Sequence, residues 1–346
     1  MLKVLIVSEN VPSPIGGIER HCYNIQELFK DSSDIKINIL HKGNVNHKIL
    51  KKIDKVYFSF SDLKKKITAS ECNIVHVHGF ASLIVFQTIL ICSILKKTII
   101  YTPHFHPFYS LDNPLLGKTF FYILLKPLLK KINTIISINK EDNSFFSRFH
   151  NKVITMPNWL NYNRDIKEIM SQKSAKKENR MILFVGRSDD NKGVDHLNKL
   201  NPKQYNIYCV TKGAQQPGFT YYEGISEEQL SELYYKASLT VIPSRYEAFS
   251  YVALESLSHG TPILVSERVH ILDHLPLNNP LVHTFQFKHY EEFTEQVHKI
   301  IADQEPYNLE NALESILDNF DPVVIKNKLT NIYLQRYAFL STDFGI

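Results

Sequence analysis

The sequence contains few cysteines, and no two of them stand at the spacing of a typical metal site. Among its 346 residues the cysteines are Cys22, Cys72, Cys92 and Cys209, and no C-x-x-C pair occurs. This distribution argues against a zinc cluster and against a disulfide framework, and it is typical of a reducing compartment. We therefore expect a cytoplasmic protein, and the length is sufficient for two domains.

The sequence also lacks an apolar run of the roughly 20 residues that a membrane-spanning helix requires. The run from Phe80 to Leu95 is uncharged, but it is only 16 residues long and contains Ser82, Gln87 and Ser93. We predict a buried helix there. Residues 1–7 predict a strand rather than a signal peptide, because they lack a long apolar core and a small-residue cleavage site.

The positive charge is concentrated in the first half of the chain. Residues 1–160 carry 21 Lys or Arg and 11 Asp or Glu, whereas residues 161–346 carry 19 and 24. A basic half can face an anionic membrane or a nucleic acid. No helix-turn-helix, zinc finger or RNA-binding motif accompanies the charge, so we do not expect a nucleic-acid partner.

One basic segment has two interpretations. Residues 115–132 mix large apolar side chains with four lysines. Such a segment could be an amphipathic helix on a membrane, or an ordinary domain helix with a solvated face. Pro127 would divide it into two shorter helices.

Strand-like and helix-like segments alternate along the chain, which predicts α/β domains with parallel sheets. Helices are expected at about 20–30, after residue 226, after residue 250 and at 321–340. The predicted strands cover residues 4–7, 35–40, 53–58, 73–79, 98–104, 134–138, 153–156, 181–185, 205–210, 238–242 and 263–265. Ligands of such sheets bind beyond the carboxyl ends of the strands, and His76, His78 and His104 lie at or near such ends.

The most informative stretch is residues 243–262, which contains two carboxylates eight positions apart, Glu247 and Glu255. Glu247 is expected in the loop after the strand 238–242, and Glu255 about a turn and a half into the next helix. The first N–H groups of that helix, around Phe249, Ser250 and Tyr251, would suit a phosphate. On their own, two such carboxylates would more often be solvated surface groups.

This stretch resembles the E-x(7)-E donor-site signature of retaining glycosyltransferases of the GT-B fold, in particular glycosyltransferase family 4. Pro243-Ser244, an aromatic residue two positions after Glu247 and the run His-Gly-Thr-Pro-Ile at 259–263 match the surrounding pattern. The resemblance implies that Glu247 contacts the transferred sugar, that Glu255 holds the ribose and that the N–H groups between them hold the diphosphate. Ser250 stands where the family commonly has Gly, so its side chain would crowd the phosphate or add a hydroxyl donor.

Further segments resemble the same family in the expected order. The loop Gly16–Arg20 is similar to its G-G-x-E entry loop, which implies a donor-phosphate contact at Gly17. The T-P-H run ending at His104 implies a contact with the transferred sugar, and His106 is a second candidate. The string at 184–193 is close to the F-V-G-R…K-G motif, which implies that Arg187 and Lys192 bind the donor phosphates. Gly224 and Ile225 are the candidates for the turn that lies against the base.

The resemblance implies an α/β architecture of two Rossmann-like, doubly wound domains that face each other across a cleft. Residues 1–160 would form the acceptor-binding domain, 161–179 the linker and 180–320 the nucleotide-sugar domain, while 321–346 would form a helix that can cross back to the first domain. In the segment 156–160 that leads into the linker, Trp159 replaces the usual Gly.

The implied activity is transfer of a hexose-type sugar, with retention, from a donor such as a UDP- or GDP-sugar to the hydroxyl of a glycan or lipid-linked acceptor. Cell-surface polysaccharide or lipopolysaccharide synthesis on the inner face of a membrane would suit the basic first half. No cofactor and no metal are expected: D-x-D is absent, and no carboxylate or cysteine supports the three histidines at a ligand spacing.

Two alternatives stay open at the level of the sequence. A sugar-nucleotide epimerase of the GT-B fold would share the base site. A non-catalytic GT-B partner subunit would be expected to lose charged site residues, and none of them is lost here.

Overall fold

The computed structural model divides the chain into two compact units. It describes residues 1–14, 16–44, 47–50, 55–80, 82–104, 106, 114–162, 165–213, 215–302 and 308–343. The first unit comprises Met1–Asn161 and Pro322–Ile346, and the second comprises Tyr162–Asp321. The segment 161–179, predicted as a linker, contains a helix of the second unit.

The strands of the described residues alternate with helices in both units. The strands are β1 Leu2–Ser8, β2 Ile35–His41, β3 His47–Leu50, β4 Lys55–Phe58, β5 Ile74–His78, β6 Thr98–Thr102, β7 Thr134–Ser137, β8 Val153–Thr155, β9 Met181–Val185, β10 Asn206–Val210, β11 Thr220–Tyr222, β12 Leu239–Ile242, β13 Ile263–Ser266 and β14 Val282–Phe285.

A π-helical segment, Phe120–Leu125, connects two short α-helices of the first unit. The α-helices are α1 Ile18–Leu28, α2 Phe60–Ala69, α3 Leu83–Ile94, α4 Pro114–Thr119, α5 Lys126–Leu129, α6 Lys140–Ser147, α7 Ile166–Lys176, α8 Val194–Leu197, α9 Glu227–Lys236, α10 Tyr251–Leu257, α11 Tyr290–Ala302, α12 Leu309–Leu317 and α13 Pro322–Asp343.

Each unit is built on a parallel sheet that has six strands among the described residues. The strand order is β2-β1-β5-β6-β7-β8 in the first unit and β11-β10-β9-β12-β13-β14 in the second. In both sheets the order reverses beside the first strand of the unit, which is where doubly wound folds bind ligands at the carboxyl ends of their strands. The predicted α/β fold class is confirmed.

Alternate residues of the first sheet face two separate apolar layers, because side chains point to opposite faces along a strand. Val75 and Val77 pack with α3 on one face, whereas Ile74 faces the layer that holds α1. That second layer also contains Ile325 and Leu329 of α13. The last helix therefore completes the core of the first unit, although it follows the second unit in the chain.

Several elements differ from the sequence prediction. β4 pairs only with β3 in an antiparallel sheet of its own, and residues 53 and 54 of the predicted strand lie outside the described residues. The strands β3, β11 and β14 and the helices α2, α6, α7, α8, α11 and α12 were not predicted. Pro127 lies in the first turn of α5, so the helical run 114–129 changes to π geometry before the proline.

The apolar run at 80–95 contains α3, and half of the side chains of this helix are buried, most of them in the apolar cluster that also includes the first sheet. Among the described residues, no helix combines the length and the apolar composition needed to cross a bilayer. The predicted buried helix is confirmed, apart from Ala81, which lies outside the described residues.

A buried lysine ties α7 to α9 inside the second unit. Lys173 is 6% exposed, and its ammonium donates to the carbonyl oxygens of Tyr234 and Ala237 and to Oγ1 of Thr261. The two carbonyls belong to the last turn of α9 and its C-cap, where helix carbonyls lack intrahelical partners and a cation is favourable. Burial lowers the pKa of Lys173 well below its usual range.

We expect Lys173→Met to destabilise the second unit by about 2–4 kcal/mol, because it strands buried carbonyl acceptors. Urea unfolding followed by circular dichroism measures the loss. Faster hydrogen exchange in α9 peptides would place the loss in the second unit. Lys167→Met, at the exposed start of the same helix, is the control and should change little; equal losses in both variants would contradict the role given to Lys173.

Candidate functional site

Two loops of the second unit lie side by side at the carboxyl ends of adjacent strands. One follows β9 and spans residues 186–193; the other follows β12 and spans residues 243–250. They are joined by a backbone hydrogen bond from Arg245 N–H to the carbonyl of Asn191 (2.7 Å). Arg245 Nε also donates to the carbonyl of Asp190 (2.6 Å), and Asn191 donates to the carbonyl of Tyr246 (3.1 Å).

A glycine allows this close approach. Gly193 has φ +66°, and a Cβ added there would lie 1.8 Å from the carbonyl oxygen of Pro243. No side chain fits such a space, and the left-handed backbone is also unfavourable for other residues. The two loops can therefore touch only because residue 193 has no side chain.

The contact of the loops brings together Lys192 and Glu247, which are 55 positions apart in the sequence. Lys192 Nζ donates to Glu247 Oε1 at 2.8 Å, and both side chains are mostly buried, at 19% and 12% exposed. Ser244 Oγ donates to the same carboxylate oxygen at 2.5 Å. The backbone of Glu247 is also fixed, because it pairs with Arg268 and His270 on the segment after β13.

Arg187 lies at the end of β9 and is held far more loosely than Lys192. Its guanidinium pairs with Asp189 at 3.2 Å, and the arginine side chain is 79% exposed. Asp189 itself accepts a hydrogen bond from the N–H of Lys192 (3.1 Å). Because exposed ion pairs contribute little stability, Arg187 can turn towards a ligand at small cost.

Helix α10 begins at Tyr251, so its first N–H groups lie two residues later than the predicted phosphate-binding ones. Ser250 is the N-cap, and its buried Oγ accepts from the N–H of Ala253 at 3.4 Å. The helix-end N–H groups therefore belong to Tyr251, Val252 and Ala253. Phe249 precedes the cap, and its buried ring packs against other aromatic rings of the second unit.

Glu255 lies in the second turn of α10, as predicted, and is held by groups that the sequence did not reveal. Tyr234 of α9 donates its hydroxyl to Glu255 Oε2 at 2.8 Å. The ring of His259 stacks on Tyr234 with centroids 5.1 Å apart, and His259 also contacts the carbonyl of Glu255 and Oγ of Ser231. The carboxylate is thus oriented by a packed, hydrogen-bonded network.

The candidate base-binding turn lies between β11 and α9. Gly224 has φ +66°, so the backbone there requires a left-handed residue. Ile225 is half-buried and packs on the apolar layer beneath the sheet. Ser226 then begins α9 with a capping box, accepting from the N–H of Gln229 while the Gln229 side chain accepts from Ser226.

In the first unit, the histidine predicted to contact the sugar belongs to a buried cluster. His104 Nε2 lies 3.0 Å from His78 Nδ1, and the ring of His21 lies 4.7 Å from that of His104. The ring of His76 lies 4.0 Å from that of His78 and is tilted by 41° against it. His76 uses both ring nitrogens, with Tyr333 and Thr102. Burial lowers the pKa of His21 to about 4 and those of the other three well below their usual range, so all four are neutral at pH 7.

The remaining predicted residues of this unit have simple positions. Gly17 is the N-cap of α1, and a Cβ there would meet no described atom within 4 Å. His106 is buried, with its ring 4.9 Å from that of Phe145. Its neighbours Phe105 and Pro107 lie outside the described residues.

The structure thus brings two of the predicted site residues into direct contact, and it shows contacts with residues that were not predicted. Lys192 meets Glu247 directly, whereas Glu255 is engaged by Tyr234. Tyr234 and His21 were missed because their contacts depend on packing between distant segments. The one available signal for His21 was its place immediately after the Gly-Gly loop.

Comparison with known proteins places this site in a described family. Residues 165–314 match the family model "Glycosyl transferases group 1", and this range includes Arg187, Lys192, Glu247 and Glu255. That part of the chain is therefore similar to glycosyl transferases group 1 domains.

Two relatives match parts of the chain. An uncharacterized protein in the cps region of Klebsiella pneumoniae is 25% identical over 58% of this chain and 62% of its own length. An uncharacterized glycosyltransferase of Methanocaldococcus jannaschii is 31% identical over 38% of this chain and 40% of its own length. The chain thus matches less than two thirds of each relative.

Solved structures resemble the whole chain in fold. Sucrose-phosphate synthase from Thermosynechococcus elongatus has a TM-score of 0.72 at 14% identity and covers 98% of this chain and all of its own. HepE from Anabaena in complex with UDP-glucose has a TM-score of 0.69 at 14% identity, covering 97% of this chain and all of its own. These likenesses support the GT-B type of fold.

Gly193 and Gly224 provide a matched test of the loop contact, because both have φ +66° and only Gly193 is crowded. Gly224→Ala should cost about 1–2 kcal/mol for the left-handed backbone alone. Gly193→Ala should cost on the order of 4 kcal/mol or more, since the loops must also separate. Thermal and urea unfolding measure both losses, and similar values for the two variants would contradict the close packing of the loops.

Proposed function

We propose that the protein is a retaining glycosyltransferase of family 4 that moves a sugar from a nucleoside diphosphate donor to an acceptor hydroxyl. The observation that carries this proposal is the pairing of Lys192 with Glu247 at 2.8 Å, in loops at the carboxyl ends of adjacent strands. These residues lie inside the range that is similar to group 1 domains. A cation and a carboxylate held together there suit a ligand that has both phosphate and hydroxyl groups.

Arg187 and Lys192 are proposed to stabilise the charge that develops on the departing diphosphate. A lysine ammonium has three N–H donors, so the bond to Glu247 is compatible with another to a phosphate oxygen. The N–H groups of Tyr251 and Val252 at the start of α10 would add dipolar stabilisation, because that of Ala253 already donates to Ser250 Oγ. With two cations and a helix end available, the transfer at this site is proposed to proceed without a metal at the diphosphate.

Glu255 is proposed to accept hydrogen bonds from the ribose hydroxyls, and Glu247 to contact the sugar. The Tyr234 hydroxyl orients the Glu255 carboxylate from one side, and such preorganisation limits the entropy lost on binding. The turn at Gly224 and Ile225 is proposed to lie against the base. Phosphate contact by Gly17 and sugar contact by His104 stay predictions; His104 is buried and paired with His78.

The proposed donor is a UDP- or GDP-sugar, and the HepE complex with UDP-glucose supports this class. The proposed acceptor is a glycan or lipid-linked glycan of cell-surface polysaccharide or lipopolysaccharide synthesis, at the cytoplasmic face of a membrane; the cps-region relative supports this choice. The epimerase and partner-subunit alternatives are not favoured, because the match is to transferases and the charged residues of the site are all present.

Donor binding tests the assigned residues. A thermal-shift screen against a panel of UDP- and GDP-sugars should identify a stabilising donor, and calorimetry then gives its affinity. Glu255→Ala should weaken binding about tenfold or more, through loss of the ribose contact. Tyr234→Phe should weaken it less, because the carboxylate remains. Arg187→Ala should lower kcat more than it weakens donor binding, because the charge it meets grows in the transition state.

Lys203→Ala is the control for these variants, since Lys203 is exposed in a turn before β10. If Glu255→Ala and Arg187→Ala both leave donor binding and turnover unchanged, the site assignment is wrong. If no nucleotide sugar shifts the melting temperature of the wild-type protein, the proposed activity itself is contradicted.

Membrane association is proposed for the surface of residues 115–131. Here Leu115, Tyr122 and Ile123 are 71%, 48% and 66% exposed, beside the exposed Lys118, Lys126, Lys130 and Lys131. Exposed apolar side chains flanked by lysines suit an anionic bilayer surface, where each cation adds about 1 kcal/mol.

In flotation, the protein should rise with vesicles that contain phosphatidylglycerol and stay behind with phosphatidylcholine alone. Combining Ile123→Ser with Lys130→Glu and Lys131→Glu should abolish flotation. Lys64→Glu with Lys65→Glu on α2 makes the same change of charge elsewhere and should leave most of it. Equal flotation with both vesicle types would contradict the proposal.

A further inference from the structure

The buried histidines of the first unit differ in how well their ring nitrogens are satisfied. His76 pairs Nδ1 with Tyr333 and Nε2 with Thr102, both at 2.9 Å. By contrast, Nε2 of His21 and Nε2 of His78 have no hydrogen-bond partner among the described residues. A buried polar atom left unpaired costs about 1–3 kcal/mol, so each unpaired ring nitrogen of this cluster calls for an explanation, and a bound ion is one.

Three of these rings converge on one point. His21, His78 and His104 are all buried, and each offers a ring nitrogen within 4.8 Å of the others. Their ring centroids are 4.7, 5.3 and 5.4 Å apart. Three imidazoles on one tetrahedral Zn²⁺, at the usual Zn–N length of about 2.0–2.1 Å, would have centroids roughly 5 Å apart and ligand nitrogens roughly 3.3 Å apart. With Nδ1 of His78 and Nε2 of His104 as ligands, their separation of 3.0 Å needs only a small opening. The ion would then satisfy the unpaired Nε2 of His21, whereas Nε2 of His78 would not take part.

The surroundings of the rings also suit a metal. His21 Nδ1 is 2.8 Å from the side-chain oxygen of Asn158, which places the ring proton on Nδ1 and the lone pair on Nε2. Metal-ligating histidines are usually oriented in this way by a second hydrogen bond. Burial lowers the pKa values of these histidines, so the rings are in the neutral form that binds metals. His104 adopts a left-handed backbone, φ +62°, a strain that tends to persist at functional positions.

We propose that His21, His78 and His104 form a binding site for a divalent ion of the zinc class in the first unit. A three-histidine set leaves a fourth tetrahedral position for a water or hydroxide. The sequence argument against a metal depended on the lack of a further ligand near His76, His78 and His104. The structure supplies that ligand from α1, 57 positions before His78 in the chain, and shows that His76 is already satisfied.

Zinc binding by the full chain tests the site. The protein is stripped with EDTA, and its affinity for Zn²⁺ is then measured by competition with a chromogenic chelator. The wild type should bind one Zn²⁺, and His21→Gln and His104→Gln should each weaken binding about 100-fold. Bound Co²⁺ should give the intense visible bands of a four-coordinate ion. No donor is present, so the result does not depend on the proposed glycosyl transfer.

His76→Gln is the matched control, because it removes a buried histidine of the same cluster that is not a ligand; it should bind zinc like the wild type. Fluorescence of Trp159, the single tryptophan, whose ring is 5.0 Å from that of His21, shows whether each variant is folded. If His21→Gln does not fold, Asn158→Ala should still weaken zinc binding about 10–100-fold. Absence of zinc binding, a six-coordinate cobalt spectrum, or equal losses in folded His76→Gln and His21→Gln would overturn the proposal.

Discussion

The candidate donor site depends on the contact between two loops at residue 193. A backbone carbonyl, that of Pro243, occupies the space where any other residue would place its Cβ. This contact lets the loop after β9 reach the loop after β12, and it determines where Lys192 and Glu247 meet. The chemistry assigned to the site therefore depends on a position that carries no functional group of its own.

The two cations of the candidate donor site are paired with carboxylates before any ligand is present. Lys192 is paired with Glu247, and Arg187 with Asp189. The proposed diphosphate would therefore meet cations that already have carboxylate partners, and not a purely positive pocket. Exchange is least costly for the exposed arginine, whereas the more buried lysine can keep Glu247 and still donate elsewhere. The exposed Arg187 is therefore the cation that can change partner, whereas the more buried Lys192 keeps its position beside Glu247.

Much of this arrangement was predictable from the sequence, because it depends on local patterns. Strands such as β9 and β12 are continuous apolar or β-branched runs, and Ser250 and Gly260 mark the limits of the α10 helix region. The unpredicted β14 is short and interrupted by polar residues. Contacts such as those of Tyr234 with Glu255, or of His21 with His104, join segments whose proximity depends on tertiary packing. No local periodicity contains that information.

Ser250 shows how a departure from a family pattern can be accommodated. From the sequence, its side chain would either crowd a phosphate or donate to it. In the structure Ser250 is 2% exposed, and its Oγ is turned towards the N–H of Ala253 as the cap of α10. The hydroxyl oxygen thus takes part in starting the helix, at a position where serine is favoured. A diphosphate at this end of the helix would then depend on the N–H groups of Tyr251 and Val252. Ser250 therefore reduces the number of N–H donors at the helix end, but its side chain does not block the approach of a phosphate.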